Sequence, residues 1–136
     1  MSNQTFTFPL YLNPTWDPVK PNVVLVATYY TTAAYTYSAT IAGPGLPSPL
    51  VFPNNNSVVL KTDLPVSAVS PSMKYTVAIT TNSPGLKIVP WSGQIGTKPD
   101  GTAMCFQASL FSNDSGSDFD YNDCVITLQL FDASTD

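Results

Sequence analysis

The chain has no histidine, no arginine and no glutamate; its nine acids are all Asp and its five bases all Lys. Without His there is no Ser-His-Asp or Cys-His pair to activate a nucleophile, and no imidazole to hold zinc. Without Arg, and at a formal net charge of −4, the chain lacks the basic face that phosphate contact needs, which argues against nucleic acid and other polyanions as partners. No run of about 18 apolar residues is present, so no membrane insertion is expected. The opening MSNQTFTFPLYL lacks the basic start and long apolar block of a secretory signal. The reading is of a chain made in the cytoplasm, or given in mature form, with export or cell-surface association left open. Two cysteines, Cys105 and Cys124, are too few for a disulfide framework and form no CxxC pair. Two small buried thiols are the preferred reading, with one cross-strand bridge as the alternative.

What the chain does have points to strands. Thirteen Pro in 136 residues, beside abundant Thr, Ser, Val and Tyr, disfavour helix. Apolar-polar alternation recurs over residues 22–31, 35–42, 57–62, 73–81, 103–111 and 121–131. The turn-formers GPGLPSP, PNNN, NSPG and KPDG separate most of these runs. Short strands at intervals of about ten residues imply an antiparallel sandwich or barrel. The expectation is one all-β domain, an antiparallel β-sandwich of about nine short strands covering residues 1–136. Residues 9–21, rich in Pro, read as an irregular lead-in or an edge strand. Trp16 and Trp91 fall in segments read as irregular, where packing is preferred over stacking on a sugar.

Charge is then found concentrated. Residues 113–123, NDSGSDFDYND, hold four of the nine acids: Asp114, Asp118, Asp120 and Asp123. In an extended segment the alternation of Asp118, Asp120 and Asn122 sends all three side chains to one side. Asp123 leads into the strand CVITLQLF, and Asp114 lies upstream across Ser115-Gly116-Ser117. Hard oxygen donors gathered in this way suit calcium, which takes about six to eight oxygens. An EF-hand is excluded: counted from Asp114, its glycine position holds Phe119 and its bidentate-Glu position holds Val125. Four acids exceed the needs of one ion, so two adjacent calcium ions are expected. A solvated acidic turn is the plainer reading. The direct run into an apolar strand, in a chain otherwise poor in charge, weighs against it.

The stretch from Asp114 to Asp123, followed by CVITLQLF, resembles the signature of the bacterial calcium-dependent fucose- and mannose-binding lectins. TFTFP at 5–9, LVATYYTTAAYTYSATI at 25–41 and KPDGTAMCFQASLF at 98–111 are fainter likenesses in the same order. The resemblance implies a lectin, not an enzyme, in which two calcium ions bind the sugar directly. By the same resemblance Asp114, Asp118, Asp120 and Asp123 supply carboxylates, Asn122 its amide oxygen and Tyr30 its backbone carbonyl. Asp120 and Asp123 bridge the ions, and Asp118 joins them beside the sugar. Thr31, Thr32 and Ala33 form the specificity loop, with Ser115 and Gly116 on the other side. The implied partners are mono- or oligosaccharides and glycoconjugates.

The chain also departs from that pattern. Asp114 stands where the family has Glu, and Ser115 where it usually has Asp. The family's inter-subunit ligand is a terminal Gly carboxylate, whereas this chain continues from Asp132 to Asp136, which leaves a homodimer open. Two other classes remain: a calcium-braced β module without sugar binding, and a glycoside hydrolase using two carboxylates. The hydrolase is disfavoured because little in the sequence could raise one carboxyl pKa selectively.

Overall fold

The computed structural model describes residues 3–15, 22–32, 35–54, 57–101, 103–114 and 123–132. Its strands are β1 (Gln4–Leu12), β2 (Asn22–Thr31), β3 (Tyr37–Ala42), β4 (Leu50–Phe52), β5 (Val58–Pro65), β6 (Met73–Thr81), β7 (Lys87–Thr97), β8 (Ala103–Asn113) and β9 (Cys124–Asp132). A single 3-10 turn, Val66–Ala68, follows β5 among the described residues. Four strands form one sheet in the order β1-β6-β3-β4, and five form the other in the order β5-β2-β9-β8-β7. Every pairing is antiparallel.

The period of two builds the core from both sheets. β2 turns Val23, Leu25, Ala27 and Tyr29 inward, and β9 turns Ile126, Leu128 and Leu130 inward. Met73, Tyr75, Val77 and Ile79 of β6 face them from the other sheet, with Leu10 and Leu12 of β1 and Ile41 of β3. Tyr29 bridges the layers. Its ring stacks on Phe52 at 5.0 Å between centroids, and its hydroxyl donates to the Tyr37 carbonyl at 2.7 Å. Both polar atoms are thereby satisfied inside the core.

Several sequence expectations need correction. Trp91 is not in an irregular segment but in the middle of β7, opposite Ser109. Its neighbour Pro90 lacks an N–H, and β7 accommodates it as a sheet edge. Pro9 lies in β1, the edge of the smaller sheet, so for residues 9–12 the edge-strand reading of the Pro-rich lead-in holds. β4 lies where no strand is read from the alternation, because three residues are too short to show a period. The turn at KPDG is confirmed: Gly101 donates to the Lys98 carbonyl at 2.9 Å with φ at +90°, a conformation glycine adopts without strain. The two cysteines are free and buried. They do lie on neighbouring strands, but Cys124 stands opposite Ser112 and Cys105 opposite Phe131. These are opposite ends of the ladder, on the order of 20 Å apart at about 3.3 Å per residue, far beyond disulfide reach.

Candidate functional site

Strand order decides what meets at the acidic segment. β9 runs between β2 and β8, so its first residue, Cys124, pairs with Thr31 on one side and Ser112 on the other. The chain leaving β2 at Thr32, the chain leaving β8 at Asn113 and the chain entering β9 at Asp123 therefore converge at one end of the larger sheet.

Asp123 is the hub. Its carbonyl accepts from the Thr32 amide at 3.2 Å, and its amide donates to the Ser112 carbonyl at 3.1 Å. The Asp114 amide donates to its Oδ2 at 2.9 Å. This last bond clamps the two ends of the acidic segment together. Asp123 is only 6% exposed, and Ser112 and Asn113 below it are fully buried. The Ser112 hydroxyl has no hydrogen-bond partner among the described residues.

A carboxylate in such a place alters its neighbours. Burial, followed by the charge of Asp123, pushes the Cys124 thiol up to about 12. Burial raises the Tyr37 phenol well above its ordinary value, and the charges of Asp114 and Asp123 raise it further. This end of the sandwich therefore carries negative potential on a core of high-pKa, neutral groups.

Of the residues singled out from the sequence, Tyr30, Thr31, Thr32, Asp114 and Asp123 are described, and the ladder gathers them. Thr32 and Asp114 each bond to Asp123; Thr31 sits across from Cys124, and Tyr30 across from Val125 with its side chain about half exposed. Ala33, Ser115, Gly116, Asp118, Asp120 and Asn122 lie outside the described residues. Among the described residues no three acids or thiols come together. Of the acids in the 114–123 segment, Asp114 and Asp123 are the two that are described. Sequence reasoning included Asn113 in the acidic stretch but gave it no role, and it missed the buried Ser112. Two polar residues closing the apolar run AMCFQASLF are the signal that could have found it.

No family model and no curated protein sequence matches the chain. Among solved structures, it is similar to the C-terminal domain of the BC2L-C lectin from Burkholderia cenocepacia, with a TM-score of 0.54 and 18% identity. That alignment covers 91% of this chain and 97% of the other. At this identity the likeness is one of fold, the two-sheet antiparallel sandwich. Weaker superpositions are found with the Chromobacterium violaceum lectin CV2L, solved with alpha-methyl-fucoside (TM-score 0.46, 21% identity), and with a high-affinity mannose-binding lectin of Ralstonia solanacearum (0.45, 18%). Each covers 88% of this chain and 93% of its counterpart.

Proposed function

We propose that the protein is a calcium-dependent carbohydrate-binding protein, a lectin and not an enzyme, with two calcium ions held by the 114–123 segment. The observation that carries the proposal is the Asp123 hub. Its nearly buried carboxylate accepts from the Asp114 amide at the other end of the acidic segment, and its backbone carbonyl accepts from Thr32, so the proposed ion ligands and sugar-contact residues would share a frame. The donor set is oxygen only, which fits calcium rather than zinc or copper. Asp114, Asp118, Asp120, Asn122 and Asp123, with the Tyr30 carbonyl, would hold the ions.

Sugar hydroxyls bind weakly to protein alone, because water is nearly as good a partner. Calcium supplies coordination positions where hydroxyls replace bound water, and it neutralises the clustered carboxylates. The chain's own residues then provide selectivity. Thr31 and Thr32 offer hydroxyls and methyls, and by the family resemblance Ala33, Ser115 and Gly116 would contribute beside them. Fucose- and mannose-type sugars are the proposed ligands, and a homodimer remains a proposal that sedimentation would test.

Isothermal titration of mannose and of fucose into calcium-loaded protein, repeated after EDTA, tests the reading. Heat that disappears with the chelator supports a lectin. No heat from either sugar, with calcium still raising the melting temperature, supports the alternative of a calcium-braced β module.

A further inference from the structure

β1 and β7 are the edge strands on the same side of the sandwich, and the surface between them is hollowed. One hollow of about 240 Å³ lies between Pro9 and Tyr11 of β1 and Pro90 and Trp91 of β7. A second, of about 310 Å³, shares Ser92 with it and continues past Asn13, Thr15 and Gln94. The larger hollow alone reaches the lower end of the range for small-ligand sites, about 300–1,000 Å³.

Two features distinguish this surface. Its aromatic rings are presented, not hidden: Tyr11 is 42% and Trp91 45% exposed. The indole is also seated. A Cβ added at Gly93 would stand 2.9 Å from Trp91 Cζ2 and 3.1 Å from Cη2, so the six-membered ring occupies the space a side chain at 93 would fill. Glycine at 93 thus holds the ring against the strand and leaves the rest of the indole to solvent. Every described residue lining the two hollows is uncharged, and the polar groups present are amides and hydroxyls.

We propose that the Tyr11–Trp91 groove is a second saccharide site that binds neutral oligosaccharide units without calcium. Aromatic faces take up the apolar C–H face of a pyranose, while Asn13, Ser92 and Gln94 meet its hydroxyls. The lack of charge argues against ionic ligands. Pro9 and Pro90 remove edge N–H groups that an added peptide strand would use, which argues against a peptide occupant. Trp91 lies opposite Ser109, four residues before the end of β8, or roughly 13 Å along the strand from the acidic segment at about 3.3 Å per residue. The groove is therefore separate from the Asp123 site and does not depend on it.

The test is an NMR titration of the full chain in calcium with mannotetraose, cellotetraose and maltotetraose, with methyl α-mannoside and methyl α-fucoside in saturating excess. The Trp91 indole N–H, the Gln94 side-chain amide and the Tyr11 and Ser92 amides are expected to shift with at least one oligosaccharide, while Thr32, Asp114 and Asp123 stay still. Trp91→Ala should weaken that binding about tenfold or more, the scale of one aromatic contact. Tyr11→Ala should also weaken it, and gives the answer if the Trp91 variant does not fold. Absence of shifts in the groove with all three sugars overturns the proposal, as does unchanged affinity in Tyr11→Ala. A proline-rich peptide that moves the same resonances when the sugars do not would replace the saccharide with a peptide. Because Thr32, Asp114 and Asp123 are observed separately, failure here is distinguishable from failure of the calcium-site reading.

Discussion

Asp123→Asn isolates charge from structure at the hub. The amide oxygen of Asn can still accept from the Asp114 amide, so the bond seen at 2.9 Å survives, and only the negative charge is lost. Asp123→Ala removes both. In EDTA the Ala variant leaves the Asp114 amide without its carboxylate acceptor, at a cost of about 1–3 kcal/mol. At about 4 °C per kcal/mol for a chain of this size, its melting point should fall by about 4–12 °C. The Asn variant should melt close to the wild-type protein. Calcium reverses the comparison. Ligand at a hundred times its Kd stabilises by about 2.7 kcal/mol, or about 10 °C on the same conversion. The wild-type protein should show that gain, and the Asn variant should lose most of it if its carboxylate is the proposed bridge between the ions. Differential scanning calorimetry of the three proteins, with and without calcium, reads both effects. An Asn variant that keeps the full calcium increment would refute the assignment of Asp123 as a ligand. A wild-type melt unmoved by millimolar calcium would refute the metal reading altogether.

The Cys124 thiol is raised in the folded state, so its stabilising contribution is intact below the ordinary thiol pKa of 9.0 and is lost as pH rises from 9.0 towards about 12. Stability should decline there by about 1.4 kcal/mol per pH unit, and Cys124→Ala should flatten the first part of that decline in alkaline denaturation curves. An unreduced sample should have the mass of two free thiols, with neither reacting with a thiol reagent until denaturant is added; a mass two hydrogens lighter would contradict the separation along the β8–β9 ladder. Tyr29→Phe removes the 2.7 Å bond to the Tyr37 carbonyl and should cost about 1–3 kcal/mol, chiefly from the stranded acceptor; a thermal melt within a degree of wild type would show that the bond contributes little.

Alternation made the long strands legible. Residues 22–31 and 73–81 coincide with β2 and β6, because a strand with one face in the core must switch polarity at every step. β7 escaped notice for the opposite reason. As an edge it is exposed along most of its length, so KIVPWSGQIGT carries no clear period, although it pairs with β8 as a hairpin across the Lys98–Gly101 turn. The acidic segment itself could be read from composition. That Thr32 and Asp114 both bond to Asp123 could not, since it depends on β9 inserting between β2 and β8.

That insertion explains where the charge sits. A carboxylate placed along the inward face of β9 would replace Ile126 or Leu128 and meet only apolar side chains, an environment that disfavours ionisation. Asp123 lies at the boundary. Three backbone segments hold it with the bonds to Thr32, Ser112 and Asp114, and the Asp114 amide offers a donor to its carboxylate. The Asp114 bond orients the Asp123 carboxylate, which lowers the ordering cost of that one group on binding. Substitution of the Thr32 amide contact therefore becomes informative. Thr32→Pro deletes the donor without altering any acidic residue, and it should weaken sugar and calcium binding together if the 31–33 loop and the ion ligands share one frame. Calcium affinity that is unchanged while sugar binding falls would instead separate the specificity loop from the metal cage.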